Sequence, residues 1–247
     1  MIGLRGLTKA FGAKPVLTGI DLDVATGESL VVIGASGSGK SVLLKCILGL
    51  VTPDAGEVTC DGAPLDARTR PAFLSRFGML FQGGALFDSL PVWENVAFRL
   101  LQDGVPRAQA RARAEDKLAR VGLGPETAGL FPAELSGGMQ KRAGLARAIA
   151  ADPKVIFFDE PTAGLDPIMA GVINRLIRDI VTDSGATAIT ITHDMTSVRG
   201  IGDRVALLHG GRLRWTGPAS AIDTTDDPHV RQFVTGAPDG PMRPPQG

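Results

Sequence analysis

The chain has 247 residues, 44% of them hydrophobic, enough for one domain-sized core, and its 26 basic residues balance its 26 acidic ones. Zero net charge supplies no field to attract nucleic acid, which is therefore not an expected partner. No apolar run approaches the roughly 20 residues that cross a bilayer, and no apolar stretch ending in a small-residue cleavage site opens the chain, so a cytoplasmic location is expected. The two cysteines, Cys46 in a predicted helix and Cys60 in a predicted strand, lack metal-ligand spacing and read as buried, reduced thiols.

In chain order, Ile20, Leu22 and Val24 alternate with Asp21 and Asp23, the period of a half-exposed antiparallel strand. The unbroken run Leu30, Val31, Val32, Ile33 predicts a strand covered on both faces, followed by a glycine-rich loop and a helix over residues 41–50. After a strand at residues 78–81, helical patterns occupy 92–102, 106–121 and 137–151. The second of these carries Arg107, Arg111, Arg113, Glu115, Asp116, Lys117 and Arg120, the mixed charge of a solvated exterior. Buried-type strands at 155–158, 188–192 and 205–208 alternate with helical patterns such as 168–181, which predicts a parallel α/β core with a helical insertion. His209-Gly210-Gly211-Arg212 reads as a two-residue hairpin turn. Val230, Phe233 and Val234 fall on one face of a short terminal helix, and residues 238–247 form a Pro/Gly-rich tail.

Three motifs carry chemistry. Gly34-Ala35-Ser36-Gly37-Ser38-Gly39-Lys40-Ser41 matches the phosphate-binding loop: its glycines let backbone amides close around phosphate oxygens, Lys40 reaches the β- and γ-phosphates, and the Ser41 hydroxyl ligates magnesium. Val155-Ile156-Phe157-Phe158 ends in Asp159 and Glu160 at what becomes the carboxyl edge of a sheet, where ligands of open α/β sheets bind. Asp159 is placed to hold magnesium and Glu160 to accept a proton from the water that attacks the γ-phosphate. Leu135-Ser136-Gly137-Gly138-Met139-Gln140 opens a helix, with Ser136 in the position of an N-cap.

These three elements, in the order and spacing they take along the chain, resemble the ABC (ATP-binding cassette) family over nearly the whole chain. The resemblance implies a fold of class α/β: a P-loop NTPase with a RecA-like parallel sheet core, an N-terminal antiparallel β subdomain and an inserted α-helical subdomain. On that basis residues 1–236 form a single ATP-binding domain, the helical subdomain spans about 91–151, and 237–247 is a flexible tail. It also implies a head-to-tail dimer with a second copy, sandwiching two ATP molecules and Mg2+, in which Ser136, Gly137 and Gly138 touch the γ-phosphate in trans. By the same resemblance Gln82 contacts magnesium and the attacking water, His193 contacts the γ-phosphate and helps position the water, and Asp166 communicates between the two ATP sites. An aspartate before Pro167 is also a helix cap, and both roles are compatible. Phe11 stands where the family places an aromatic that stacks on adenine; plain core is the competing reading.

Non-transport members of the family that organise chromosomes carry long coiled coils, for which this chain has no pattern. A separate transmembrane permease is therefore the expected partner. The run from Gly83 through Leu86, Phe87, Leu90 and Trp93 to Val96, together with Met139 and the stretch 190–195, is similar to the ATPases of Mla-type phospholipid-trafficking systems. That resemblance implies a peripheral position on the cytoplasmic face of the inner membrane, an MCE-type lipid-binding protein and a small accessory subunit. Leu86, Phe87, Leu90 and Trp93 are expected to receive a permease helix, and the terminal helix to pack on the partner ATPase or the accessory subunit.

Overall fold

The computed structural model describes residues 2–242. Its elements begin with the strands β1 (Ile2–Phe11), β2 (Lys14–Val24) and β3 (Ser29–Ile33), helix α1 (Lys40–Ile47), β4 (Ala55–Cys60), β5 (Ala63–Pro64), α2 (Arg70–Ser75) and β6 (Phe77–Leu80). The helices α3 (Val92–Gln102), α4 (Arg107–Arg120) and α5 (Gly137–Ile149) come next, then β7 (Val155–Asp159), α6 (Pro167–Ser184) and β8 (Thr187–Ile191). The chain finishes with α7 (Met195–Ile201), β9 (Arg204–His209), β10 (Arg212–Pro218) and α8 (Pro228–Thr235). Two compact units emerge, the first from residues up to Leu74 and from Ile189 on, the second from Ser75–Ala188.

The first unit contains an antiparallel sheet of order β2-β1-β4-β5. Leu4 lies opposite Leu22 and Leu7 opposite Ile20, and all four are buried, so the period-2 alternation puts one apolar face inside and Asp21 and Asp23 outside. The register slips between Leu4 and Leu7, where Gly6 takes φ 57° and absorbs a bulge. A second set of strands runs β10-β9-β3-β8. Here β3 lies parallel to β9, and every residue of β3 is buried, as a continuous apolar run demands. Gly210 and Gly211, with φ of 58° and 72°, make the predicted two-residue turn between β9 and β10.

In the second unit β6 lies parallel to β7, with the rings of Phe77 and Phe157 4.9 Å apart. Helix α4 buries Ala110, Ala114 and Leu118 on one side. Its outward charges are paired: Arg107 with Glu94, Arg111 with Glu115, Lys117 with Asp152 and Arg120 with Asp183. Helix α6 starts on Asp166, whose carboxylate accepts from the amides of Ile168 and Met169, continues with Pro167 in its first turn, and stops at Gly185 with φ 61°.

Several expectations change in detail. Helix α1 ends at Ile47, where Gly49 takes φ 66°, rather than running to residue 50. Strand β6 ends at Leu80, leaving Gln82 two residues beyond it. Cys46 is buried but Cys60 is only half-buried, because β4 is mostly open to solvent. Helix α8 forms as expected and buries Val230 within its own chain. At the start of the tail the Gln232 amide donates to the carbonyls of Ala237 and Met242 and accepts from the Met242 amide. Residues 243–247 of the predicted tail lie outside the described residues. No helix among the described residues is long and apolar enough to cross a membrane.

Candidate functional site

The first unit holds Phe11, the loop from Gly34 to Ser41 and His193. The loop leaves β3 through Gly34, whose φ is 155° and whose position admits no side chain, since a Cβ there would lie 2.2 Å from the Leu208 carbonyl oxygen. Gly37 and Gly39 take φ of 74° and 104°, which turns the chain into α1. That helix has no side-chain cap and no acid in its first turn, so its free amides and dipole favour an anion. Lys40 is buried, and its ammonium donates to the carbonyls of Gly34 (2.6 Å) and Ala35 (3.1 Å) across the loop. Ser41 is exposed at the start of the helix. A cavity of about 230 Å³ adjoins residues 35–38, walled by residues 14–16 and 209–211.

Phe11 ends β1 and is 52% exposed, which removes the plain-core reading. The Lys9 ammonium lies 5.5 Å from its ring centroid. Asp54 fixes this strand end by accepting from Lys9 Nζ at 2.7 Å and from the Ala10 amide at 2.6 Å, and the Lys9 bond, then the Ala10 bond, hold the Asp54 carboxyl below its ordinary pKa. His193 is exposed just past β8, between the buried Thr192 and Asp194, which caps α7 through the amides of Thr196 and Ser197. His209 borders the cavity and packs 6.0 Å from the His229 ring; burial, then Arg214 and His229, lower its pKa.

The second unit holds Gln82, Ser136, Gly137, Gly138, Asp159, Glu160 and Asp166. Asp159 is the last residue of β7, half-buried, and Glu160 follows with φ 46°, a left-handed conformation uncommon for a residue with a side chain. Ser136 caps α5 by accepting from the Met139 amide, as its position predicts. Gly138 sits close against α6: a Cβ there would come 2.8 Å from the Met169 Cε. Asp166 is the cap of α6 described above, and Gln82 is exposed in the segment after β6.

Three residues that the motifs do not single out organise this second group. Lys141, 5% exposed on α5, donates from its ammonium to the Gln82 carbonyl and lies 3.4 Å from the Glu160 carbonyl oxygen. Burial pushes its pKa down, and the nearby Asp159 and Glu160 carboxylates oppose that. Arg147, on the same helix, donates to the carbonyls of Gly84 and Ala85 at 2.7 Å each. Asn95, fully buried on α3, accepts from the Phe87 amide and donates to the carbonyls of Phe87, Leu90 and Pro91. It thereby shapes the segment containing Leu86, Phe87 and Leu90, of which Phe87 is exposed, while Trp93 is buried under the Arg107 guanidinium. Trp93 therefore cannot line an open groove as expected. One signal was available: Lys141 shares an i, i+4, i+7 stripe with Leu145 and Ala148, a charge on an inward face.

Ser41, Gln82 and Asp159 all offer oxygen, the donor that magnesium takes. Among the described residues no group of three or more His, Cys, Asp or Glu side chains converges to hold a metal alone.

The model of the family described as "ABC transporter" matches residues 17–163. The Mycobacterium leprae protein named "Probable ribonucleotide transport ATP-binding protein mkl" is 40% identical, the match covering 98% of this chain and 70% of its own. The Escherichia coli K12 protein named "Intermembrane phospholipid transport system ATP-binding protein MlaF" is 39% identical over 98% of this chain and 91% of its own. Among solved structures, a dimeric post-hydrolysis state of the ATP-binding cassette MJ0796 with ADP and Pi superposes with a TM-score of 0.79 at 31% identity, covering 89% of this chain and 99% of that one.

Proposed function

This chain belongs to the ABC transporter family as an ATP-binding, ATP-hydrolysing subunit with the P-loop NTPase fold, and from that premise we propose that it powers phospholipid movement between envelope membranes through a separate permease. The reading of the cargo is carried by one observation: likeness to the intermembrane phospholipid transport subunit extends over 98% of the chain, well outside the residues matched by the family model. A different cargo is the second reading, favoured by the 40% identity to the relative named for ribonucleotide transport.

In this proposal the loop amides and Lys40 hold the phosphates of ATP, Phe11 stacks on the base, and Ser41, Asp159 and Gln82 hold Mg2+. The ion, when bound, neutralises charge on the β- and γ-phosphates. Glu160 orients water for in-line attack and takes its proton, with His193 and Gln82 beside the γ-phosphate. A second copy offers Ser136 and the amides of Gly137 and Gly138 to the same γ-phosphate, because an α5 N-terminus also attracts an anion. ATP thus closes a head-to-tail dimer, and loss of phosphate reopens it. Asp166 communicates between the two sites in this scheme. Residues 83–90 carry that motion to a permease helix, with Phe87 as an exposed apolar contact. The chain is then peripheral on the cytoplasmic face of the inner membrane, alongside an MCE-type lipid-binding protein and a small accessory subunit. Residues 1–236 act as one ATP-binding domain with a helical insertion over about 91–151.

Affinity purification of the tagged chain from detergent-solubilised host membranes, with mass spectrometry of co-purifying proteins and lipids, tests this reading. A multi-spanning permease, an MCE-type protein and bound phospholipid are expected. A permease with a soluble solute-binding protein instead would discard the phospholipid and keep the ATPase, and no membrane partner at all would overturn the transport role.

A further inference from the structure

Helix α5 reaches the backbone of both segments that carry the hydrolytic side chains of the second unit. Lys141, one turn into the helix, donates to the carbonyl of Gln82 and approaches that of Glu160 at 3.4 Å; Arg147 donates to those of Gly84 and Ala85. Ala85 (φ 48°) and Glu160 (φ 46°) are two of the four described non-glycine residues with positive φ, conformations that persist only where the surroundings impose them. The helix also touches the glutamine segment directly. A Cβ on Gly144 would lie 3.2 Å from the Gly84 Cα, and a Cβ on Gly84 would lie 3.2 Å from the Gln140 carbonyl oxygen.

A methionine or leucine would fill the Lys141 position without taking an ammonium out of water, so packing does not account for the charge. What the ammonium does there is point at the carbonyls of two residues whose side chains perform chemistry. We infer that Lys141 is a positioning residue that ties the Ser136 end of α5 to Gln82 and Glu160 of the same chain. Phosphate engaging residues 136–138 then bears, through one rigid helix, on the glutamine and glutamate one turn away. A subunit's own hydrolytic groups are thereby set according to whether its α5 end is occupied by the second copy's nucleotide. This inference rests on the ATP-hydrolysing dimer proposed above.

The full-length chain, wild type and as Lys141→Met, Lys141→Arg and Glu160→Gln, is assayed for Mg-ATP hydrolysis and for binding of a fluorescent ATP analogue. Lys141→Met is expected to bind the analogue within about twofold of wild type and to lose about tenfold or more in kcat with little change in KM, because misplacement acts on the reacting geometry. Lys141→Arg keeps a donor for both carbonyls and is expected to recover most of the rate. Wild-type kcat in Lys141→Met, or no recovery in Lys141→Arg, overturns the inference. Should Lys141→Met not fold, Lys141→Gln replaces it, with an intermediate kcat expected and a wild-type kcat again decisive against it. Glu160→Gln separates the two levels: if it hydrolyses like wild type, the proposed site itself fails, whereas an inert Glu160→Gln beside a fully active Lys141→Met removes only the positioning role.

Discussion

Residues 34–41 and residues 81–85 are both glycine-containing segments that leave a parallel strand, β3 in one case and β6 in the other, and they are held in place by different means. The first closes on itself. Lys40, from within the segment, bonds the carbonyls of Gly34 and Ala35, and glycines occupy the positions of positive φ. The second is held from outside, by Lys141 and Arg147 on α5, and places an alanine at φ 48° where glycine would rest without strain. A self-contained loop depends on its own residues, whereas a braced one takes its shape from a helix that can respond to something else. Under the proposed function, the difference suits a fixed phosphate-binding surface in the first case and a responsive segment in the second.

The comparison predicts a hierarchy of effects. Glu160→Gln removes the proposed proton acceptor and is expected to lower kcat about 10³-fold while ATP binding persists. Size-exclusion chromatography with ATP should show it as a stable dimer, and rapid hydrolysis would mean that another base operates. Lys40→Ala deletes the cation inside the self-contained loop and is expected to cost about 10²-fold in kcat/KM, checked by steady-state kinetics. Asn95→Ala leaves the Phe87 amide and several loop carbonyls unpaired, which should destabilise the fold by about 3 kcal/mol in denaturant unfolding. Ala85→Gly relieves the positive φ of the braced segment and should stabilise by about 1 kcal/mol. A loss of stability there would show that Ala85 pays for its strain with contacts that glycine lacks.

Much of the self-contained loop's shape was legible in sequence because it is written in its own residues: glycines at fixed spacing, one lysine, one serine, a strand before and a helix after. The positions of Asp159 and Glu160 at the end of a buried strand were legible in the same way, as were two caps, since Ser136 and Asp166 act on amides two or three residues away. The brace was not, because Lys141 lies 59 residues from Gln82 in sequence and a carbonyl acceptor leaves no trace in residue identity. Asn95 was hidden similarly, its partners being backbone atoms of a turn. Trp93 was misplaced because aromatic residues serve grooves and cores alike, and only the packed structure puts two arginines over its ring.

The closeness of Gly138 to Met169 has a genetic corollary. With only 2.8 Å available for an added Cβ, Gly138→Ala meets the terminal methyl of Met169 on α6, and under the proposed function it also alters an amide that faces phosphate, so its phenotype is expected to be a sum of two injuries. The Met169 side chain is flexible and the clash is with its terminal methyl, so a compensating second-site change is expected at that residue. Shortening it, as in Met169→Ala, should suppress the part of the Gly138→Ala defect that comes from crowding, leaving the part that the proposed phosphate contact accounts for.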